Sequence, residues 1–218
     1  MRKILVTGSG GFVGARILDQ WRGRYELCTF PHGFSADSDE AAVRALIARE
    51  KPDVIVHTAA LSNTAYCASH PEESLRANVL LPEWIAKAAA ETGARLLAFS
   101  SDQVYAGCKR SGPLPETLSL SPANVYGCHK LEAEQRVLAI TPDAVLLRAA
   151  WMYDFPGYRL PIRGNLPLNL LSAAKTGTAL HFSEHDFRGV SYVREVIDKL
   201  IPAMELPGGV YNFGSGND

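Results

Sequence analysis

Long apolar runs, paired cysteines and an excess of one charge are all missing from this sequence, and each absence removes a class of protein. No stretch approaches the roughly 20 apolar residues that a helix needs to cross a bilayer, so no membrane partner is expected. The opening Met1-Arg2-Lys3-Ile4-Leu5-Val6-Thr7 puts basic residues before apolar ones. Its apolar run is too short for a signal-peptide core, and glycines follow at once. Four cysteines (Cys28, Cys67, Cys108, Cys128) stand without a C-x-x-C pair or metal-ligand spacing. They read as buried or incidental free thiols, not as a disulfide framework. His32, His70, His129, His181 and His185 show no ligand spacing either, so no metal is expected. Lys and Arg number 22 against 23 Asp and Glu, mixed along the chain, so nothing favours nucleic acid as a partner. The expected compartment is the cytoplasm.

What is present is a rhythm. Short β-branched and apolar runs alternate with longer stretches of helical period, which predicts β-α-β units and a parallel sheet. Strands are predicted at residues 3–7, 26–30, 54–58, 95–100, 144–147 and 209–213. Helices are predicted at 12–21, 39–50, 72–92, 123–140, 166–175 and 192–204, with a kink or break at Pro82 in the third. At 218 residues the chain suits one sizeable domain, or one domain and part of a second. It ends on Gly214-Ser215-Gly216-Asn217-Asp218 straight after a strand, which leads us to expect a missing C-terminal segment.

The first strand runs into Thr7-Gly8-Ser9-Gly10-Gly11-Phe12-Val13-Gly14, a G-x-x-G-x-x-G turn that opens a helix. Glycine is needed for the tight turn, for backbone approach to a pyrophosphate and for close helix–sheet packing. The helix N-terminus adds free N–H groups and the positive end of its dipole. Gly8, Ser9, Gly10, Gly11, Phe12, Val13 and Gly14 are therefore candidate contacts for a dinucleotide. A carboxylate at the end of the second strand would mark NAD, but that strand ends Cys28-Thr29-Phe30-Pro31-His32. NADP(H) is favoured slightly, with NAD(H) left open. Arg16 either reaches in from the first helix to a 2′-phosphate or is a solvated helix residue. Asp37 is a candidate neighbour of the adenine or an ordinary loop acid.

Tyr126-Gly127-Cys128-His129-Lys130 is a Y-x-x-x-K at the start of a predicted helix, with both side chains on one face. The lysine ammonium is expected to lower the tyrosine pKa, letting it pass a proton near neutral pH. Upstream, a strand delivers Ser100-Ser101-Asp102-Gln103-Val104-Tyr105 at its carboxyl end, where open α/β sheets place their sites. A Ser101 hydroxyl there would hydrogen-bond a carbonyl as negative charge develops on it.

These features together resemble the extended short-chain dehydrogenases/reductases, and within them the dTDP-4-dehydrorhamnose reductase family. The resemblance covers nearly the whole chain. It rests on Pro52-Asp53-Val54-Ile55-Val56-His57-Thr58-Ala59-Ala60, Ser101-Asp102-Gln103-Val104-Tyr105 and Pro122-Ala123-Asn124-Val125-Tyr126-Gly127. Lys130-Leu131-Glu132-Ala133-Glu134 and Leu147-Arg148-Ala149-Ala150-Trp151-Met152-Tyr153 continue it, and Ser191-Tyr192-Val193 and Gly209-Val210-Tyr211-Asn212 look like later landmarks. It implies an α/β fold: a Rossmann-type doubly wound parallel sheet with a small, apparently truncated C-terminal substrate-binding part. The NAD(P)-binding domain would span 1–150. A partial substrate-binding region with returning Rossmann elements would span 151–218.

By this resemblance Ser101, Tyr126 and Lys130 are catalytic. The cofactor side would add Asp37, Thr58, Ala59, Ala60, Asn78 and Ser100 to the glycine turn, together with Tyr126 and Lys130. Asn78 supports the site or is a helix surface residue; Trp151 lines a sugar site or is a core aromatic. The implied activity is NAD(P)H-dependent reduction of the C4 keto group of a nucleotide-linked deoxysugar, a step towards dTDP-rhamnose. The implied partner is that nucleotide sugar, with a homodimer left open.

Departures from the family pattern are His129 before the lysine, Val190 where proline is usual, and an unrecognisable 154–165 segment. Two other functions compete. A nucleotide-sugar epimerase would share the same residues, whereas the Asp-Glu pair of the related dehydratases is Asp102-Gln103 here, and an amide cannot serve as that base. A non-catalytic regulatory subunit that binds NADP also resembles these reductases.

Overall fold

The computed structural model describes residues 1–31, 33–34, 38–110, 112–162, 165–182 and 189–215. Six strands form one parallel sheet: β1 (Lys3–Thr7), β2 (Glu26–Thr29), β3 (Val54–His57), β4 (Arg95–Ser101), β5 (Val145–Ala149) and β8 (Gly209–Phe213). Their spatial order is β2-β1-β3-β4-β5-β8. The chain leaves β1 towards one edge for β2 and returns on the other side for β3. That reversal opens a crevice at the carboxyl ends of β1 and β3.

The pleat divides each central strand between two cores. Leu5, Ile55, Leu96 and Leu146 face helices α2 (Glu40–Glu50), α5 (Leu81–Thr92) and α6 (Val125–Ile140), meeting Val43, Ile47, Trp84, Ile85 and Val137. Ile4, Val6, Val54, Val56, Val145 and Leu147 face α1 (Phe12–Trp21) and α8 (Val193–Ala203), meeting Ile17, Trp21, Ile197 and Leu200. A sheet buried on both faces is what the near-continuous apolar strands predict.

The helix expected over 72–92 is instead several elements. Helix α3 (Thr64–Ser69) and the short α4 (Pro71–Leu75) precede a π-helical turn, Arg76–Leu80, before α5. Pro82 has no N–H to donate one turn back, and the backbone widens so that Leu81 N–H bonds the Arg76 carbonyl. Pro82 then sits in the first turn of α5, where no donor is required. Strand β5 runs two residues beyond expectation, through Arg148 and Ala149, because Arg148 is buried against a carboxylate. After it, β6 (Trp151–Tyr153) and β7 (Val190–Tyr192) form a separate two-stranded parallel sheet. Helix α7 (Leu166–Thr176) follows β6 and buries none of its residues. Among the described residues no helix is long and apolar enough to cross a membrane.

Candidate active site

The turn after β1 is built as its glycines require. Gly8 takes φ +66°, and a Cβ there would lie 2.7 Å from Ala59 N. A Cβ on Gly14 would run into the Gly8 carbonyl, so α1 packs closely only with glycine at that position. Gly11 N donates to Gly8 O at 2.8 Å. The start of α1 carries no side-chain cap and no acid in its first turn, which leaves its positive end for an anion. A Cβ on Gly10 would meet nothing within 4 Å, so the turn presents open backbone. A pyrophosphate fits this cradle.

From the turn, a cleft of about 1170 Å³ runs along the carboxyl edge of the sheet. Gly8, Gly11, Phe12, Val13, Thr58, Ala59, Ala60, Ser100, Ser101, Tyr126, Lys130 and Trp151 all line it. Ser9, Gly10 and Gly14 belong to the turn but not to the cleft wall. Asp37, His32 and His185 lie outside the described residues.

Three open alternatives are narrowed by the structure. Arg16 is neither a phosphate clamp nor a solvated residue. It is fully buried, pairs with Asp154 at 2.6 Å and donates to the carbonyls of Phe12 and Pro161. An arginine on the buried face of α1 needs a carboxylate, and the 154–165 segment supplies one. Asn78 is not a surface residue: it is buried in the π turn and exchanges two hydrogen bonds with the Leu61 backbone, at 3.1 and 2.9 Å. It holds the loop after β3 without lining the cleft. Trp151 is 48% exposed and on the cleft wall, so it is no core aromatic.

Asn124 caps α6, accepting from Gly127 N at 2.8 Å, and its amide donates to Gln103 Oε1 at 3.1 Å. Tyr126 is thereby fixed in the first turn, hydrogen-bonded to Ser101. The Ser101 hydroxyl also accepts from Gln103 N at 3.2 Å, capping the 3₁₀ turn Asp102–Tyr105. Burial pushes the Tyr126 phenol up to about 12, against the downward pull of the Ser101 hydrogen bond. Lys130 is buried too, and burial pushes it down to about 8, with Glu134 opposing. The expected lowering of Tyr126 by Lys130 is not what the site shows: the ammonium donates to the Phe99 carbonyl at 2.6 Å, and desolvation dominates both groups.

Behind this pair lies a network that the sequence reading missed. Glu134, one turn after Lys130, accepts from Ser100 Oγ at 2.5 Å and takes a forked pair from Arg148, with Nη2 at 2.7 Å. Arg148 Nη1 also reaches the Tyr105 hydroxyl at 2.8 Å, and that hydroxyl donates to Asn212 on β8. The available signal was an arginine inside an apolar strand, Val145-Leu146-Leu147-Arg148-Ala149, which needs a buried acid to pair with. Among the described residues no cluster of three or more His, Cys, Asp or Glu is placed to hold a metal.

A glycine turn at the switch point of a parallel sheet, facing a serine and a helical Y-x-x-x-K across one cleft, defines the short-chain dehydrogenase/reductase class. Within that class the chain belongs to the family described as the RmlD substrate binding domain, whose model matches residues 1–206. It is 35% identical over 153 residues to the dTDP-4-dehydrorhamnose reductase of Mycolicibacterium smegmatis, covering 70% of this chain and 46% of that protein. It is 36% identical over 161 residues to the methionine adenosyltransferase 2 subunit beta of Xenopus laevis, covering 70% and 47%. The matched stretch thus spans less than half the length of either relative. The dTDP-4-dehydrorhamnose reductase of Yersinia enterocolitica shares the fold with a TM-score of 0.86 and 28% identity, over 100% of this chain and 76% of that one.

Proposed function

We propose that this chain carries the cofactor-binding and catalytic part of an NADP(H)-dependent oxidoreductase that reduces the C4 keto group of a dTDP-linked deoxysugar. The observation that carries the reading is the meeting of Ser101, Tyr126 and Lys130 with the glycine turn on one cleft. When bound, a reduced nicotinamide supplies hydride. Ser101 orients the substrate carbonyl, Tyr126 delivers the proton to its oxygen, and Lys130 binds the cofactor ribose. Thr58, Ala59 and Ala60 form the small-residue wall beside the dinucleotide, Ser100 closes it at the end of β4, and Asn78 supports it from behind. Trp151 faces the sugar. NADP(H) is preferred over NAD(H) because β2 ends in Cys28-Thr29 without an acid to bind a ribose diol.

In this reading residues 1–150 bind the dinucleotide and 151–218 form part of the substrate-binding region. The four free cysteines suit a cytoplasmic location, and a homodimer is compatible with it. Dehydration is disfavoured because the Gln103 amide is tied to the cap of α6. The similarity to a methionine adenosyltransferase subunit supports a second reading, a subunit that binds NADP without turnover.

The test is loss of NAD(P)H absorbance on adding dTDP-4-dehydrorhamnose, with NADPH and NADH in parallel. Oxidation should fall by about 10²–10⁴-fold in Tyr126→Phe, the range for a lost acid–base group. Tight NADPH binding with no oxidation by the wild-type chain would support the second reading instead.

A further inference from the structure

His57 closes β3 directly beside the site, is 2% exposed, and has no role in the reaction derived above. Its Nδ1 lies 2.7 Å from Thr7 Oγ1. That hydroxyl oxygen also accepts from Thr58 N at 3.2 Å and from Ala59 N at 3.3 Å. A hydroxyl has two lone pairs and one hydrogen, so with both lone pairs taken its hydrogen goes to Nδ1. Burial and the neighbouring Lys130 ammonium keep the ring neutral, pushing its pKa down to about 3. A neutral ring that accepts at Nδ1 carries its proton on Nε2. Yet Nε2 is buried without a hydrogen-bond partner among the described residues. An N–H left in that state forgoes its solvation with no bond in return.

His57 lines a small void between the sheet and α6, of about 10 Å³. Lys130, Glu134, Ser100 and the aliphatic Pro82, Val137 and Leu146 share it. That is room for about one water, which needs two to four polar partners to reside there. Besides Ser100, whose hydroxyl donates to Glu134, three stand on its wall. His57 offers Nε2–H. The Lys130 ammonium has three hydrogens, of which one is spent on the Phe99 carbonyl. Glu134 is an acceptor already fixed by Arg148. The charged or titratable groups on the elements packed around this point are His57 from β3, Lys130 and Glu134 from α6, and Arg148 from β5, which acts through Glu134.

We propose that this void is a site for a single internal water that accepts from His57 Nε2–H and Lys130 Nζ and donates to Glu134, making His57 a positioning residue for Lys130. The water ties the ammonium to a fixed partner on the side away from the cleft, and its dipole favours the charged lysine. Where His57 stands, any side chain lacking a donor at the Nε2 position would leave Lys130 less firmly held and more easily deprotonated. The kinetic consequence rests on the reductase reading; the water and the tautomer do not.

The first test therefore needs no turnover. A crystal structure of the chain that resolves ordered waters should show one within hydrogen-bond distance of both His57 Nε2 and Lys130 Nζ. Nitrogen-15 NMR of the same chain should show His57 protonated at Nε2 alone between pH 5 and pH 8, a range chosen to bracket the ordinary titration of histidine. A dry void, or a proton on Nδ1, overturns the proposal. The second test compares His57→Asn, whose amide oxygen can still take the Thr7 hydroxyl, with His57→Gln, whose amide reaches towards the Nε2 position. The alkaline limb of NADPH oxidation should move down by about one pH unit in His57→Asn and less in His57→Gln. An unmoved limb in a folded His57→Asn protein overturns the positioning role. If the wild-type chain oxidises no NADPH, the proposed function fails, and the water and the tautomer still decide this inference.

Discussion

At the scale of single residues, the site is set by two side chains whose charge states are pulled by burial. Burial holds Lys130 down at about 8, well below the ordinary lysine range, while Tyr126 rises to about 12. The sign follows directly. A cation with a lowered pKa keeps its proton below about pH 8 and loses it above, while the phenol remains protonated throughout. Reduction should therefore be flat through neutrality and fall as pH rises through about 8, and Lys130→Arg should remove that limb while lowering turnover. A pH profile of kcat for both proteins checks this; a limb that persists in Lys130→Arg would assign it to another group. Ser101, Tyr126 and Lys130 were legible in the sequence because their spacing is local and their chemistry is tied to residue type. Arg16, Asn78 and Trp151 were left open, because whether a polar or aromatic side chain is buried depends on what a distant segment brings to it. For Arg16 that segment is Asp154, 138 residues away.

At the scale of elements, α6 is the part that turns sequence into geometry. Its cap at Asn124 fixes Tyr126, its second turn carries Lys130, and its third carries Glu134, buried against Arg148 of β5. Breaking a buried pair strands the other charge, at about 3–5 kcal/mol. Arg148→Met should thus lower unfolding stability by that amount in urea titration, whereas Arg148→Met with Glu134→Leu should recover much of it. Equal losses in the single and double variants would show that the pair is not what β5 needs. The strand and helix rhythm was readable, and β1, α1 and β8 fall on the expected residues. The region from 64 to 80 was not, since a π turn forms where Pro82 removes a donor and no apolar period announces it. Strands β6 and β7 are three residues each, too short for an alternation to be seen.

At the scale of the whole molecule, the doubly wound sheet brings the turn after β1, the loop after β3, the end of β4 and the start of α6 to a single edge. The Arg16–Asp154 pair fastens the start of the 154–165 segment to α1, the helix whose N-terminus the glycine turn leaves open to the cleft. A cleft along this edge, lined by both the glycine turn and the half-exposed Trp151, suits the proposed alignment of a long dinucleotide with a sugar. The most direct test of that claim follows the hydrogen itself. NADPH carrying deuterium at the transferred position would be incubated with dTDP-4-dehydrorhamnose and the chain, and the sugar product analysed by mass spectrometry and NMR. The account predicts one deuterium at C4 of a reduced sugar and one oxidised cofactor per product. A sugar inverted with no net cofactor oxidation, or a cofactor bound and never oxidised, would contradict it.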